Sequence, residues 1–512
     1  MVNNVLKVVL WNEEVGKIYW NHNLGYAVFS YSPDFIKKGL DIAPLTASIY
    51  GEHGKGIPVV STPLRKDDFF KGLPPFLADS LPDKWGNTLF NCWANSKRLD
   101  AAQMTPVDKL AFIGKRAMGA FEFEPDKYPW NKDTDIDLQK LYDLATRIYR
   151  MREEVLLMPE DENLLAGLCE VGTSAGGQHS KAVIAINEKT GEIRSGQISL
   201  SNEYKYYLLK FAEGTDFPVC NIEMAYYFMA KEAGINMMPS RLIEVDSKSH
   251  FITERFDRVN GEKVFTQTLA AIYPKAETYE DLFYVCDKLG ISQTAKSEMF
   301  RRTVFNLLSG NTDDHVKNFS FMMDKKGKWT ITPAYDLTFT VDLNNTAYGK
   351  FHFMTLGGKD CNFTIADLCQ FAELNTINNP KKIIEEVCQA ISGFHSHAQK
   401  AGVNQFAIDK IEKFLATILP LEYGKKMNHY LGSIVKPYIT DEGCHIEDFR
   451  MNESSMHDYE LWCIIDGKRY RTIIDGESAM GKEISAKGGN RMSVEDKKSL
   501  IKQLLIPKAL VK

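Results

Sequence analysis

Asp313, Asn318 and Asp336 are the residues whose types and spacing offer chemistry. They lie in "RRTVFNLLSGNTDDHVKNFSFMMDKKGKWTITPAYDL", from Arg301 to Leu337. Phosphoryl transfer asks a protein for one carboxylate to take the proton of an attacking hydroxyl and for oxygen ligands to a hard cation. An acid and an asparagine spaced Asp-x-x-x-x-Asn, followed by a second aspartate, supply that inventory. The same pair also suits a solvated loop in which Asp313 or Asp314 makes a local turn and Asn318 caps a strand. Within the loop, His315 reads as a brace, and Lys317 as a phosphate neutraliser or a solvated charge. Asp314 is one residue out of register with the spacing and is expected to be dispensable.

Around these residues the order is helix, polar loop, strand, "DKKGK" turn, strand, acid, so a hairpin returns Asp336 toward the loop. A phosphate-transferring site makes two further demands. Something must cover the phosphates, and "VGTSAGGQHSKAVIAI" (Val171 to Ile186) has glycines and small hydroxyl residues leading into a strand, where backbone N–H groups can approach an anion. The stretch fits neither Gly-x-x-x-x-Gly-Lys-Ser/Thr nor Gly-x-Gly-x-x-Gly, and a flexible turn is the competing reading. The second demand is a strand lysine, met by Lys210 inside the apolar run "YYLLKFA", where a charge requires a partner. Glu223, on the helix that follows, offers a carboxylate, although a solvated helix face is the simpler account of it.

Composition narrows the class. With 44% hydrophobic and 25% charged residues the 512-residue chain reads as globular, with room for about three domains or subdomains. A net charge of -5 and a pI near 6.2 provide no basic field for direct nucleic-acid binding. The nine scattered cysteines contain no Cys-x-x-Cys pair, which argues for reduced thiols in a cytoplasmic protein. No stretch approaches the ~20 apolar residues of a membrane span, and no signal segment is expected.

The elements that must position the site read as α+β and two-lobed. Val5 to Trp11 and Lys17 to Trp20 form a hairpin around "NEEVG", and "GLPPFLADSLPDKWGN" (Gly72 to Asn87) reads as a packing corner with an aspartate able to cap a short helix. "TDIDLQKLYDLATRIYRM" has helical spacing. "KAVIAIN", "YYLLKFA", "SRLIEV" and "HFITERFDRV" are strands, "IEMAYYFMAKEAGI" is a helix ended by Gly234, and the chain to about Pro420 is mainly helical. The division expected is a β-rich N-terminal subdomain over 1–125, a nucleotide-binding part over 126–258, a helical lobe over 259–435, and a small appended α/β module over 436–512. In that module "YELWCIIDGKRYRTIID" is a hairpin with an Asp466-Gly467 turn, and "SVEDKKSLIKQLL" a helix capped by Ser493.

From near the N-terminus to about residue 420 the sequence resembles the HipA-type serine/threonine kinases, the toxin halves of bacterial toxin-antitoxin pairs. "PPFLADSLPDKWGN" and "GKRAMGAFEFEP" (Gly114 to Pro125) are similar to the signature and the closing segment of the family's N-terminal subdomain. "GTSAGGQHSKA" resembles its nucleotide loop, "YLLKF" its lysine strand, "ITERFDR" its interlobe linker, and "NTDDHVKNFSF" with "TPAYDL" its catalytic and metal motifs. The resemblance implies ATP and Mg²⁺ as cofactors, Asp313 as catalytic base, and Asn318 and Asp336 as metal ligands. It also implies nucleotide contacts from Ser174, Ala175, Gly176, Gly177, Gln178, Lys181 and Lys210, with Glu254 and Phe256 at the adenine and His315 and Lys317 near the phosphates. Thr173 or Ser174 is the implied autophosphorylation site.

The same resemblance implies a HipB-like helix-turn-helix antitoxin that reaches DNA on the kinase's behalf. It further implies a protein substrate such as an aminoacyl-tRNA synthetase, and a bacterial cytoplasmic location. Two departures stand out: Thr268 follows Gln267 where the family often has an acid, and the tail beyond Lys436 exceeds the family length. Two rival readings are a catalytically silent module that sequesters a repressor, which predicts damaged metal acids, and a small-molecule kinase on a related fold, against which the N-terminal signature weighs.

Overall fold

The computed structural model describes residues 5–61, 70–126, 136–151, 161–172, 179–213, 217–343, 350–419, 438–439, 445–453, 459–465, 468–475, 478–486 and 493–504. It divides into two compact units, Met1–Ala407 and Ile408–Lys512.

The first unit opens on an antiparallel sheet of β1 (Leu6–Leu10), β2 (Glu13–Asn21), β3 (Tyr26–Tyr31), β4 (Val59–Val60) and β5 (Phe121–Glu124), ordered β4-β3-β2-β1-β5. The β1–β2 turn is tighter than the sequence suggests. Glu13 already pairs with Leu10, and Trp11 and Asn12 alone make the connection with φ of 51° and 65°. A two-residue hairpin demands positive φ at both positions, which asparagine tolerates; Trp11 is held there by its indole, whose Nε1 donates to the Lys263 carbonyl at 2.9 Å. The "GLPPFLADSLPDKWGN" stretch folds as a short helix, Pro75–Ala78, and the start of a longer one, Lys84–Ser96. Phe76 packs edge-on against Phe29 at 5.3 Å, and Trp85, Leu89, Phe90 and Trp93 are buried along the second helix at i, i+4, i+5, i+8 spacing.

A second antiparallel sheet comprises β6 (Lys181–Asn187), β7 (Ile193–Ser195), β8 (Tyr204–Lys210), β9 (Ser240–Val245) and β10 (Lys248–Glu254), ordered β7-β6-β8-β10-β9. Every residue of β6 is buried, with helix Asp161–Gly172 packed on it. Helix Val219–Glu232 lies against β9 and β10 and stops at Gly234, whose φ of 75° is the left-handed conformation that ends helices.

After the small ladder β11 (Arg258–Val259) and β12 (Glu262–Lys263), a third sheet, β13 (Phe265–Thr268), β14 (Ser320–Met323) and β15 (Trp329–Ile331), carries the polar loop of Asp313. The rest of this unit is helical. Gln293–Ser309 is buried along most of its length and packs against Pro380–Ser392. The α+β layout is therefore a strand-rich half followed by a helical half.

The second unit holds the antiparallel strands β16 (Tyr438–Ile439), β17 (His445–Glu453), β18 (Tyr459–Ile465) and β19 (Lys468–Ile474) in that order. Ile465 pairs with Lys468, as a two-residue turn requires, although Asp466 and Gly467 themselves lie outside the described residues. Helix Val494–Leu504 is capped by Ser493, whose Oγ accepts from the Asp496 amide at 3.1 Å. Among the described residues no helix is long and apolar enough to cross a membrane.

Candidate active site

Helix Gln293–Ser309 ends at Gly310 with φ of 73°, and the chain turns sharply into the loop of Asp313. One hydroxyl shapes its start. Thr340 Oγ1 accepts from the amides of Thr312 at 2.7 Å and Asp313 at 3.0 Å. A turn from His315 to Asn318 follows, with the Asn318 amide donating to the His315 carbonyl at 2.8 Å. Asn318 then folds back, its Nδ2 donating to the Asp313 carbonyl at 2.8 Å, which leaves its Oδ1 as the acceptor of that side chain.

The β14–β15 hairpin returns the chain to Asp336, which adopts φ of 54°. This left-handed conformation is tolerated by aspartate. Asn311 Nδ2 bridges the two ends of the excursion, reaching the Asp336 carbonyl at 3.5 Å and Asn306 Oδ1 at 2.9 Å.

Across from this loop, Lys210 Nζ donates to Glu223 Oε1 at 2.7 Å and to the Asp336 carboxylate. Glu223 is not on a solvated helix face: its side chain is 10% exposed and that of Lys210 13%, so the carboxylate is the lysine's built-in partner. Burial disfavours the Lys210 ammonium, but Asp336 and Glu223 outweigh it and hold its pKa above the ordinary lysine value. Burial likewise opposes the Asp336 carboxylate, and Lys210 and Lys181 outweigh it, keeping the group ionised well below the usual range. Burial raises the pKa of Glu223, with Lys210 pulling the other way. Lys181 sits opposite Lys210 in the β6–β8 ladder, is buried, and is pushed below the ordinary lysine value by that burial.

Asp313 carries a raised pKa, chiefly from burial and further from the charges of Asp336 and Asp314, against the opposing His315 and His179. His315 Nε2 lies 3.8 Å from Asp313 Oδ1, consistent with a brace. Lys317 points elsewhere than a lone solvated charge would: its Nζ is 2.5 Å from Asp83 Oδ1, in the N-terminal subdomain. Asp83 does begin helix Lys84–Ser96, but its side chain makes no capping hydrogen bond there.

The expectation that Asp314 is dispensable is overturned. Its side chain has no solvent exposure and accepts hydrogen bonds from Tyr279 Oη at 2.5 Å, the Phe353 amide at 2.9 Å and the Met354 amide at 3.5 Å, with His352 Nδ1 at 3.0 Å. One residue on from Asp313, the side chain turns into the protein and ties the loop to residues 352–354. Adjacency to Asp313 was the available signal, and register alone misjudged it.

Glu254 and Phe256 are half-buried while Arg255 and Asp257 between and beyond them are buried, as extended chain alternates. Glu254 lies 3.3 Å from Lys205, and the Phe256 ring stacks on Tyr335 at 5.8 Å. Asp257 accepts from Arg255 Nε and Nη2, both at 2.7 Å, from Arg258 Nη1 at 2.9 Å and from the Gly119 amide at 2.8 Å, tying "ITERFDR" to "GKRAMGAFEFEP". Sequence reasoning assigned these acids and arginines no such role. Thr268, which stands where the resemblance has an acid, receives Asp79: its amide and Oγ1 donate to that carboxylate at 2.7 and 2.8 Å. A second carboxylate there would repel the first. Thr173, Ser174, Ala175, Gly176, Gly177 and Gln178 lie outside the described residues; the flanking Gly172 is closely packed, and a Cβ on it would meet Leu89 Cδ1 at 2.7 Å and the Lys181 carbonyl oxygen at 3.1 Å.

The fold and this constellation define a two-lobed, protein-kinase-like protein. Residues 6–124 match the HipA N-terminal domain, and residues 173–394 the HipA-like C-terminal domain. The sequence is 25% identical over 307 residues to "Putative kinase Y4mE" of Sinorhizobium fredii, a match covering 55% of this chain and 68% of the relative. It is 30% identical over 142 residues to "Serine/threonine-protein kinase toxin HipA" of Shewanella oneidensis, covering 22% of this chain and about a third, 32%, of that one. Among solved structures, a chain of the complex of HipA, HipB and operator DNA from Shewanella oneidensis superposes with a TM-score of 0.56 at 17% identity, over 83% of this chain and 97% of that one. The chain belongs to the HipA-type kinase family.

Proposed function

We propose that the chain is an ATP- and Mg²⁺-dependent serine/threonine protein kinase, with Asp313 as the base. The observation that carries this is the Lys210 ammonium bridging Glu223 and Asp336 beside the Asp313–Asn318 loop. Asp313, Asn318 and Asp336 are all present, which disfavours a silent sequestering module. The donor set fits a hard cation: an ionised carboxylate from Asp336 and the amide oxygen of Asn318, few enough to leave room for phosphate oxygens and water. Bound Mg²⁺ would supply charge neutralisation on the phosphates.

The chain's own residues do the rest. Lys210, with Lys181 beside it, is a fixed positive charge for the ATP phosphates, and Glu223 keeps Lys210 in place. Residues Ser174–Gln178 cover the phosphates and Glu254 and Phe256 border the adenine. Asp313 takes the proton of the substrate hydroxyl, and its raised proton affinity suits it to that task. Catalysis is then chiefly positioning and electrostatics. Autophosphorylation at Thr173 or Ser174, a protein target such as an aminoacyl-tRNA synthetase, cytoplasmic location, and neutralisation by a HipB-like DNA-binding antitoxin complete the reading. The last draws support from the HipB and operator DNA in the neighbouring structure's complex.

Incubation of the full chain with labelled ATP and Mg²⁺ in cognate lysate, followed by mass spectrometry, tests it. Label on a serine or threonine of a lysate protein is expected. A chain that labels nothing and binds no nucleotide ends the kinase reading.

A further inference from the structure

The segment Pro75–Trp85 of the N-terminal subdomain reaches the proposed catalytic apparatus at four points. Trp85 Nε1 donates to the Lys181 carbonyl at 3.0 Å, and Gln267 Nε2 donates to the Phe76 carbonyl at 3.4 Å. Asp79 accepts from the Thr268 amide and hydroxyl, and Asp83 holds Lys317. The Thr268 anchor is continuous with the catalytic loop, because the next two amides, of Leu269 and Ala270, donate to the Phe319 and Val316 carbonyls at 2.7 and 3.3 Å. Leu269 and Ala270, next to the Asp79-anchored Thr268, therefore hold the backbone on both sides of Lys317, and Asp83 holds its ammonium.

From this geometry we infer that Asp83 is a positioning residue for phosphoryl transfer: it holds the Lys317 ammonium in register with the Asp313 loop, making the N-terminal subdomain part of the catalytic apparatus. The inference rests on the kinase reading. Lys317 is a flexible chain with a point charge at its end, and its value to a phosphate depends on where that charge is held. The Lys317–Asp83 pair is about a quarter exposed on each side, at 24% and 23%, and a pair that solvent still reaches adds less to stability than a fully buried one. Its consequence should therefore register in rate rather than in folding. The carboxylate is also near enough to Lys181 to favour that ammonium's charged form, so one acid faces lysines from both the nucleotide strand and the catalytic loop.

The test compares the full chain with Asp83→Asn, Asp83→Glu, Lys317→Met and the double variant Asp83→Asn/Lys317→Met. The readouts are the initial rate of labelled phosphate transfer from ATP and Mg²⁺ into lysate protein at varied ATP, and the thermal midpoint. Misplacing a reacting group by about 1 Å can cost on the order of 10²-fold. A loss approaching that is expected in the maximal rate of Asp83→Asn, with the apparent KM for ATP and the thermal midpoint nearly unchanged. The double variant should be no slower than Lys317→Met, and Asp83→Glu should recover part of the rate. Unaltered rate in Asp83→Asn, losses that multiply in the double variant, or a loss that follows a fallen midpoint overturns the inference while leaving the kinase reading standing. A wild-type chain that transfers no phosphate removes both.

Discussion

The Tyr279 hydroxyl donates to the Asp314 carboxylate at 2.5 Å, in a pocket with no solvent exposure that also takes in His352 and the Phe353 amide. Removing one member of such a buried network leaves the others unpaired. Asp314→Ala should therefore cost about 3–5 kcal/mol, the range for breaking a buried pair. Tyr279→Phe should cost only about 1–2 kcal/mol. Urea unfolding at neutral pH measures both, and an Asp314→Ala midpoint equal to wild type would refute the structural role.

Asp313 separates from its neighbour in this respect. With side-chain exposure of 43% and its backbone held by Thr340, its carboxylate carries little of the packing. Asp313→Asn should lower phosphate transfer by roughly 10²- to 10⁴-fold, as loss of a positioned base does. The thermal midpoint should not move.

Lys210 predicts a different pattern. Lys210→Met strands the buried Glu223 and the partly exposed Asp336 as two carboxylates without their common counter-ion. Both nucleotide affinity, read by calorimetry, and stability should fall, with stability lower by about 3–5 kcal/mol. A variant that loses rate but keeps its midpoint would mean the pair matters less to the fold than its burial indicates.

Asp257 sets an acid limb in the stability profile. Burial would raise its pKa, but Arg255 and Arg258 outweigh that and hold it well below the ordinary carboxylate range. A carboxyl depressed on folding contributes stability that is fully present above its unfolded value, about 3.9, and is lost as pH falls toward the folded one. Urea midpoints measured from pH 7 down to about pH 3 should fall in wild type. In Asp257→Asn the midpoint should start lower and decline less steeply.

Much of the local structure was legible in the chain. Apolar runs marked β6, β9 and β10, Ser493 marked a helix start and Gly234 a helix end, because period and capping chemistry act within a few residues. The types of Asp313, Asn318, Lys210 and Asp336 pointed to the phosphate chemistry proposed above, since few side chains can do that work. Spacing could not say what each side chain faces. Glu223 read as a surface residue until β8 and its helix brought Lys210 against it, Asp314 read as spare until Tyr279 and His352 enclosed it, and Lys317 gained Asp83 from 234 residues away. Those partners are distant in sequence, and burial and pairing are properties of the assembled packing, so the sequence determined which groups are available and only the tertiary structure decided which carboxylate meets which cation.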